Sequence, residues 1–431
     1  MTYNVSIEKN GVQTHVGTLT GDRPENGVFA YAPEYLAAEG AAPISLSLPL
    51  QEDAFSPAQT KNYFDSLLPE GYTRRTVARW IHADEDDYLT ILHALGCECL
   101  GALQITAEGE AHGASYEPMA LDQVKALAAE GVSKSAELVI TSHLSLAGAT
   151  GKVGLYYDGK TWFLPCGTAP STHIVKQSHV RLKHIVQNEQ LALMTARNCG
   201  LQVADSFIIN TGNGADEEIL FAAKRYDRIL PKTGRVIGGL TAPLRLHQED
   251  FAQALGIPAS QKYERAGENH LARMFDLLRR HSADPIRDMT RLWDQIVFNW
   301  LIGNTDAHVK NFSLLYSPDL RTLRLAPAYD LLAAAIYPTT RELSFRIGDA
   351  GTLDAVTDAS FEAAAREAGL GVRMAMQRYH RMVEAFIPAL RAASESLQAE
   401  GLSETAVTAE QILQTGGIAA EIGRASCRER V

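Results

Sequence analysis

The chain has 431 residues and 46% of them are hydrophobic, so its length predicts two or three domains, each with enough apolar residues to form a core. It carries 40 basic and 51 acidic side chains, a formal net charge of −11, which argues against direct coating of DNA, because nonspecific binding needs clustered Lys and Arg. No run of 18 apolar residues and no signal-peptide pattern are present, and the five cysteines are scattered. These features predict a cytoplasmic protein with free thiols and argue against a membrane span or a disulfide framework.

Residues 1–106 are predicted to form a small α+β unit. Alternating apolar residues indicate strands at 5–7, 16–19, 28–31 and 44–48, and Asn10-Gly11 is typical of a hairpin turn between the first two. Helical patterns follow from residue 64 to residue 80 and over residues 88–95. Cys97 and Cys99 lie close together, but no second pair or histidine cluster completes a zinc site.

Residues 107–239 are predicted to hold a second set of strands. A linker-like stretch at 107–115, rich in Gly, Ala and Glu, precedes a short amphipathic helix at 121–131. Residues 162–164 and 173–176 are expected to be adjoining strands. A helix is expected over 188–200, and the apolar run 219–223 is typical of a buried strand.

Residues 240–420 are predicted to be mostly helical. The expected helices are 248–255, 268–280, 285–301, 361–368 and 374–397, and the expected strands are 312–316 and 323–325. Residues 421–431 depart from the alanine-rich composition before them and resemble the translation of a sequencing-adapter oligonucleotide. We interpret this tail as non-native and leave it out of the fold prediction.

The densest group of polar residues lies at 303–312, directly after the helical run. Asp306 and Asn311 are five residues apart there, which is the spacing of the aspartate and the asparagine in a protein-kinase catalytic loop. An aspartate can accept the proton of an attacking hydroxyl, and a neutral amide oxygen can bind Mg²⁺. Asp330 follows a later apolar run and is a candidate second metal ligand. Alone, this spacing also occurs in solvated turns, so it needs support from other motifs.

A second candidate is the segment from Ser145 to Lys152, whose small residues let a backbone approach phosphates closely. It is not a P-loop, because Gly148 and Gly151 are too close together and Val153 follows the lysine. The alternative is an ordinary hairpin between two strands.

Several motifs occur together in one order along the chain. They are S-x-A-G-A-x-x-K at 145–152, T-H-I-x-K at 172–176, N-E at 188–189, R-Y-D-R at 225–228, G-N-T-D-x-H-x-K-N-F at 303–312 and L-A-P-A-Y-D-L-L at 325–332. With them the chain resembles the HipA family of serine/threonine kinases, the toxin halves of bacterial toxin–antitoxin modules. F-D-S-L-L-P-E-G at 64–71 and H-Q-E-D-F at 247–251 match as well. The resemblance extends from about residue 3 to about residue 400.

The resemblance implies an α+β, bilobal protein-kinase-like fold with an N-terminal α+β subdomain (1–106), the ATP-binding strands of the first lobe (107–239) and a mostly helical C-terminal lobe (240–420). It implies a bacterial, cytoplasmic serine/threonine protein kinase that uses ATP and Mg²⁺ and phosphorylates a protein hydroxyl, for example that of a tRNA synthetase. It also implies self-inhibition by autophosphorylation of Ser145. The expected partner is a HipB-like helix-turn-helix antitoxin, through which alone the chain would meet DNA.

The resemblance also implies a role for each matching residue. Asp306 is the expected catalytic base, and Asn311 and Asp330 are the expected metal ligands. Lys176 is expected to grip the α- and β-phosphates and to pair with Glu189. The further ATP-binding candidates are Ala147, Gly148, Ala149, Thr150, Gly151, Lys152, Lys224, Arg225, Tyr226, His308 and Tyr329.

Two departures from the family and three alternatives stay open. The family commonly has Gln followed by Pro or Glu where Thr150 and Gly151 stand, which leaves the phosphate contacts of this loop open. It usually has Glu where Lys224 stands, a change that is tolerable if backbone groups read the adenine. His308 can instead be a structural residue that fixes its loop. The protein can instead be an antitoxin-dependent co-repressor with secondary catalysis, or a kinase of small molecules.

Overall fold

The computed structural model describes residues 1–110, 112–143, 145–146, 151–179 and 181–428. Its strands are β1 (Thr2–Lys9), β2 (Val12–Thr20), β3 (Val28–Tyr31), β4 (Leu103–Ala107), β5 (Ala114–Pro118), β6 (Lys152–Tyr157), β7 (Trp162–Gly167), β8 (His173–Gln177), β9 (Ser206–Asn210), β10 (Ile219–Lys224), β11 (Arg228–Ile229), β12 (Val236–Ile237), β13 (Leu240–Thr241), β14 (Leu244–Arg245), β15 (Gln248–Asp250), β16 (Ser313–Tyr316), β17 (Leu323–Leu325), β18 (Glu342–Ile347) and β19 (Ala350–Thr352). Its α-helices are α1 (Pro33–Leu36), α2 (Pro57–Phe64), α3 (Gly71–Trp80), α4 (Tyr88–Leu95), α5 (Leu121–Glu130), α6 (Val132–Ser142), α7 (Ile185–Asn198), α8 (Phe251–Ala254), α9 (His270–His281), α10 (Pro285–Ile302), α11 (Asp358–Glu367), α12 (Val372–Ala399), α13 (Thr405–Thr415) and α14 (Ile418–Arg428). None of the helices in the described ranges combines the length and the apolar composition that crossing a membrane requires.

Contacts divide the chain into two units, each made of discontinuous stretches. Unit 1 contains Met1–Gln177, Glu217–Ser260 and Leu314–Leu323. Unit 2 contains Ser178–Asp216, Gln261–Ser313 and Arg324–Val431. The candidate functional residues are therefore distributed over both units.

The N-terminal part of unit 1 contains an antiparallel sheet with the order β3-β2-β1-β4. Asn10 and Gly11 join β1 to β2 with φ values of +52° and +78°. Both lie in the left-handed region, as a two-residue turn that matches the twist of its strands requires. The hairpin, the strand β3 and the helix α4 confirm the sequence prediction for this part of the chain.

Residues 44–48 do not form the predicted strand and contain only an isolated bridge. Their backbone is bound by side chains instead of by a neighbouring strand. The Ile44 N–H donates to Tyr31 Oη at 2.9 Å, and the Leu46 N–H donates to Glu249 Oε1 at 3.1 Å. The prediction was wrong because apolar alternation reports which residues are buried, whereas a strand also needs a backbone partner.

A second sheet contributes the strands β5-β7-β6-β8-β10, in this order, to unit 1. The prediction that residues 162–164 and 173–176 adjoin was wrong, because β6 lies between β7 and β8 and pairs antiparallel with both. The helix at 121–131 is present as α5. A further helix, α6, was not predicted, and Gly131, with φ +63°, separates the two.

Glu98 is fully enclosed in unit 1 and is bound by three arginines. Its Oε1 accepts hydrogen bonds from Arg228 at 2.7 Å and from Arg225 at 3.2 Å, and its Oε2 accepts from Arg245 at 2.6 Å. Asp227 pairs with Arg225 at 2.7 Å and with Arg228 at 3.0 Å. Burial by itself raises the pKa of Glu98, but the surrounding guanidinium groups hold it below its ordinary value.

Unit 2 is organised around α10, an apolar helix that buries two tryptophans. The indole N–H of Trp293 donates to the Ala375 carbonyl at 3.0 Å, and that of Trp300 donates to the Leu353 carbonyl at 3.2 Å. The predicted helices of this unit are present as α7, α9, α10, α11 and α12, with their ends shifted by at most three residues. The hairpin of β18 and β19 was not predicted.

The predicted helix 248–255 belongs to unit 1 and is wrong in its first half. Residues 248–250 form the strand β15, and only α8 is helical. Asp250 accepts from the Gln253 N–H at 2.8 Å, and the Gln253 side chain accepts from the Asp250 N–H at 3.0 Å. This capping box starts the helix at residue 251, so the residues before it stay extended.

Candidate active site

The polar segment of unit 2 begins where α10 ends. Gly303 has φ +78°, and its N–H donates to the Trp300 carbonyl at 3.0 Å. The N–H of Asn304 donates to the Asn299 carbonyl, and its Nδ2 donates to Asn299 Oδ1, both at 2.8 Å. The segment with Asp306 and Asn311 therefore starts from a fixed helix end.

Residues 306–311 close into a hydrogen-bonded loop. The Asp306 carbonyl accepts from the His308 N–H at 2.8 Å and from Asn311 Nδ2 at 2.9 Å. The Asn311 N–H donates to the His308 carbonyl at 2.8 Å. The side-chain nitrogen of Asn311, Nδ2, is bound inside the loop. The side-chain oxygen, Oδ1, is therefore the Asn311 atom that suits a bound cation.

The Asp306 side chain is exposed at the surface of this loop. Its Oδ1 accepts a hydrogen bond from Tyr263 Oη at 2.7 Å. The Tyr263 ring lies edge-on to the ring of His308, with 5.4 Å between their centroids. His308 is only 6% exposed, which suits a structural role better than contact with a triphosphate.

Tyr329 connects the Asp306 loop to the segment that carries Asp330. Its Oη donates to the Lys310 carbonyl at 2.8 Å and lies 2.6 Å from Ser313 Oγ. Tyr329 precedes Asp330, and Lys310 precedes Asn311. The two metal-ligand candidates, Asn311 and Asp330, are thus each one residue away from the same hydrogen bond. The Tyr329 hydroxyl contacts Lys310 and Ser313 and so helps to hold the loop in place.

The backbone at Asp330 is unusual for a residue with a side chain. Its φ is +55°, a left-handed conformation that costs of the order of 1 kcal/mol or more outside glycine and is concentrated at functional sites. Asn188 holds the same segment three residues later. Its Oδ1 accepts from the Ala333 N–H at 3.0 Å, and its Nδ2 donates to the Ala333 carbonyl at 3.2 Å.

The donor atoms of this loop fit Mg²⁺ better than a transition metal. An amide oxygen from Asn311 and a carboxylate from Asp330 are hard oxygen ligands, and Mg²⁺ takes one or two such groups together with water and phosphate. In the ranges that the structure describes, no group of three or more His, Cys, Asp or Glu side chains could hold a metal by itself.

In unit 1, strand register places two of the nucleotide-binding candidates, Lys152 and Lys176, on one face of the second sheet. On β8, Lys176 lies opposite Lys152 of β6 on one side and opposite Phe221 of β10 on the other. Directly opposed residues of antiparallel strands point to the same face. Lys176 Nζ also lies 5.5 Å from the centroid of the Phe221 ring. Lys152 and Lys176 are therefore a pair of cations on one face.

The end of β10 gives its three candidates different surroundings. Lys224 is exposed, and Tyr226 is half-buried with its hydroxyl bound to Gln248. The Arg225 side chain is completely buried among Glu98 and Asp227, and its N–H donates to the Thr172 carbonyl at 2.9 Å. The prediction that Arg225 contacts the nucleotide is not supported, because its charge and its N–H are used inside unit 1.

Ser145 is completely buried in unit 1. Its hydroxyl donates to the Leu67 carbonyl at 2.7 Å, and its N–H donates to the Glu98 carbonyl at 2.8 Å. Ala147, Gly148, Ala149 and Thr150 lie outside the described residues. Gly151 and Lys152 follow them and lead into β6.

Glu189 is buried in the first half of α7, and its pairing with Lys176 stays a prediction.

The sequence analysis missed three residues that contribute to these sites. Tyr263 lies in a segment without an apolar period, so nothing marked it. Asn188 and Leu67 belong to quoted motifs, but their contacts join residues far apart in the chain and carry no local signal.

The chain is similar to proteins of one family over most of its length. The sequence profile described as the HipA-like C-terminal domain matches residues 144–390, and that described as the HipA N-terminal domain matches residues 10–106. The chain is 33% identical over 379 residues to a Sinorhizobium fredii protein named "Putative kinase Y4mE", covering 86% of this chain and 87% of that one. It is 28% identical over 351 residues to the "Serine/threonine-protein kinase toxin HipA" of Shewanella oneidensis, covering 77% of this chain and 75% of that one.

A solved structure agrees with the fold. It is the Shewanella oneidensis MR-1 toxin–antitoxin complex of HipA, HipB and its operator DNA, which matches with a TM-score of 0.76 and 22% identity over 95% of this chain and 97% of that chain. The fold is therefore the protein-kinase-like fold of HipA, as the sequence predicted. Because the C-terminal profile alone covers more than half of the chain, and a relative named as a putative kinase is 33% identical over 86% of it, the chain belongs to the HipA family.

Proposed function

We propose that this protein is an ATP-dependent serine/threonine protein kinase. The observation that carries the proposal is the loop of unit 2 in which Asp306 is exposed while Asn311 is oriented by the Asp306 carbonyl. The hydrogen bond from Tyr329 to the Lys310 carbonyl supports it, since a solvated turn does not need a bond between the segments that carry Asn311 and Asp330.

Asp306 accepts the proton of the substrate hydroxyl and orients that hydroxyl for attack on the γ-phosphate. The Asn311 amide oxygen and the Asp330 carboxylate would hold Mg²⁺. When bound, Mg²⁺ supplies positive charge that neutralises the phosphates during transfer. The lysine pair at 152 and 176, with Gly151 beside it, binds phosphate oxygens, and Lys224 and Tyr226 meet the base through their backbone.

The finer points of the function are those that the family resemblance implies, and we propose them with it. The substrate is a protein Ser or Thr, for example in a tRNA synthetase, and the partner is a HipB-like antitoxin that brings the chain to DNA. Ser145 is the proposed site of self-inhibition, because a phosphate adds about −1.5 to −2 charges beside a loop that binds phosphates. Its hydroxyl is buried here, so phosphorylation requires the Ser145 side chain to leave the Leu67 carbonyl.

The experiment is a phosphotransfer assay with Mg²⁺–ATP, the purified chain and a Ser/Thr peptide library, with phosphosites mapped by mass spectrometry. Asp306→Asn should lower transfer by roughly 10²–10⁴-fold. Asn311→Ala and Asp330→Asn should weaken Mg²⁺–ATP binding in calorimetry. Asp205→Asn, which changes an exposed aspartate bound to Arg197, is the matched control and should behave like the wild type.

Two results contradict the proposal. One is full transfer by a folded Asp306→Asn variant. The other is unchanged Mg²⁺–ATP affinity in both metal-ligand variants. Ser145 should carry phosphate in the wild type and not in Asp306→Asn; an unmodified Ser145 in an active enzyme removes only the self-inhibition.

A further inference from the structure

We propose that Tyr263 is a positioning residue for the catalytic base. Its hydroxyl binds the Asp306 carboxylate and restrains its orientation toward the acceptor hydroxyl. The proposal rests on the proposed kinase function and assigns a role to a residue outside the motifs of the sequence analysis.

The hydrogen bond has the geometry that such a role needs. Tyr263 Oη donates to Asp306 Oδ1 at 2.7 Å, and a carboxylate has about four lone-pair sites on its two oxygens. The terminal torsion of an aspartate side chain is broad, and this bond narrows it. Fixing that torsion before the reaction removes an entropy loss from the transition state.

Tyr263 is itself held in place through its neighbour Glu264. The Glu264 N–H donates to the Ser344 carbonyl on β18 at 2.8 Å. The Glu264 carboxylate accepts from the His270 N–H at 2.8 Å and pairs with Arg346 at 3.2 Å. The backbone that carries the tyrosine is therefore anchored immediately beside it.

The same residue of β18 also anchors the catalytic loop. Ser344 Oγ donates to the Thr305 carbonyl at 2.8 Å, and Thr305 directly precedes Asp306. Ser344 thus binds the residue after Tyr263 with its carbonyl and the residue before Asp306 with its hydroxyl. The distance between the phenol and the carboxylate is set by one shared residue rather than by the chance meeting of two exposed side chains.

The contacts of the ring favour a fixed tyrosine over a mobile gate. One edge contact joins it to the buried His308 ring, and Lys262 Nζ lies 5.5 Å from its centroid. A gate that a substrate displaces would have to break these contacts as well as the bond to Asp306.

The test compares Tyr263→Phe with the wild type in the peptide-library assay with Mg²⁺–ATP. The phenylalanine keeps the ring against His308 and removes only the hydroxyl. We expect kcat to fall about 10-fold, the loss of one hydrogen bond to a charged group, with the KM for Mg²⁺–ATP unchanged. In an Asp306→Asn background the same change should have no further effect, because it acts through that carboxylate.

Two variants complete the design. Tyr72→Phe removes the hydroxyl of another exposed tyrosine, in unit 1, and should leave kcat unchanged. Ser344→Ala removes the hydroxyl bound to Thr305 and should also lower kcat without changing the KM for Mg²⁺–ATP. It provides the second measurement if Tyr263→Phe proves unstable.

The outcomes separate this inference from the function on which it rests. A wild-type protein that transfers no phosphate overturns both. An active wild type with an equally active or faster Tyr263→Phe variant overturns the positioning role alone, and so does a loss that appears only in the KM for Mg²⁺–ATP. A full effect of Tyr263→Phe that persists in the Asp306→Asn background overturns it as well.

Discussion

Single buried side chains determine how the loops of this protein are held, and Glu249 is the clearest case in unit 1. It is 1% exposed and accepts hydrogen bonds from Ser45 Oγ, the Leu46 N–H and Tyr316 Oη. Burial raises the pKa of Glu249 to about 7, although these three donors oppose the shift. The residue therefore fixes the irregular segment 44–48 and titrates near neutral pH.

Glu249→Gln should change how stability depends on pH. Between about 4.5 and 7 the folded protein keeps the Glu249 proton that the unfolded chain loses, so the stabilisation from this residue is full below 4.5 and is lost as pH rises to 7. The variant lacks this loss and should gain stability relative to the wild type from pH 5 to pH 8, by roughly 1–3 kcal/mol. Urea unfolding at several pH values measures the difference.

The variant has to be compared with the wild type at each pH, because the contribution of His247 to stability changes with pH in the opposite direction. Burial lowers the pKa of His247 to about 4, so its contribution to stability grows as pH rises from about 4 to 6.5. The variant keeps His247, so the effect of Glu249 is measured as the difference between variant and wild type at each pH. Glu52→Gln, at an exposed position, is the control. A constant difference between Glu249→Gln and the wild type from pH 5 to pH 8 would contradict the assignment.

Asn188→Ala should destabilise unit 2 and weaken Mg²⁺–ATP binding. Asn188 is fully buried and binds both backbone groups of Ala333, so its removal leaves a buried N–H and a buried carbonyl without their partner. We expect a loss of about 2–3 kcal/mol in the free energy of unfolding. Because Asp330 lies three residues before Ala333, its position should also become less fixed.

The control for this change lies on the same helix. Asn198 is exposed and makes one hydrogen bond, to the Ala389 carbonyl at 3.3 Å, so Asn198→Ala should cost much less. Urea unfolding and calorimetry with Mg²⁺–ATP measure the two effects. Equal stability losses in both variants would show that the contact with Ala333 is not special.

Elements with a strong local signal were predictable from the sequence. The helix α10 has an aspartate cap, proline in its first turn and a glycine after its last residue, and all three signals lie within its own length. The hairpin of β1 and β2 is specified in the same way by Asn10-Gly11. The predictions for residues 44–48 and 248–250 were wrong for two reasons. The conformation of residues 44–48 depends on side chains elsewhere in the chain. The helix after residues 248–250 begins at a capping box, which overrides the apolar period.

Gly303→Ala should disturb the junction between α10 and the proposed catalytic loop at 303–312. The added Cβ would lie 3.0 Å from Ala335 Cβ and 3.0 Å from Gly416 Cα, at a φ of +78°. The left-handed conformation alone costs about 1–2 kcal/mol, and the two contacts add to it. We expect a loss of stability above that amount and a lower kcat in the peptide assay.

Gly200→Ala is the control that separates the cost of the left-handed backbone from the cost of the close contacts at Gly303. Gly200 has φ +88°, but nothing lies within 4 Å of the position of its Cβ. It should therefore show the cost of the backbone conformation alone, with unchanged kcat. If both alanine variants lost the same stability and neither lost activity, close packing at Gly303 would not be what holds the loop.

At the scale of the whole molecule, the sequence predicts which residues form the candidate site. It does not predict which residues hold them in position. Asp306, Asn311 and Asp330 are marked by motif spacing, which the sequence shows directly. Tyr263 and Ser344 support them through contacts across 43 and 39 residues, and such contacts leave no trace in a local pattern. The Glu98 network has the same character, since it joins Glu98 to Arg245 across 147 residues.

The overall charge sets an expectation for nucleic acid. With 40 basic and 51 acidic side chains, the isolated chain should bind a mixed-sequence DNA duplex no better than about 10⁻⁴–10⁻⁶ M at physiological salt, because few phosphate-bound counterions would be released. Fluorescence anisotropy with a labelled duplex measures the affinity at several salt concentrations. Addition of a HipB-like helix-turn-helix protein from the same operon should bring the chain to its operator. Sub-micromolar binding by the chain alone, falling steeply with salt, would instead reveal a basic surface strong enough to overcome the net charge of −11.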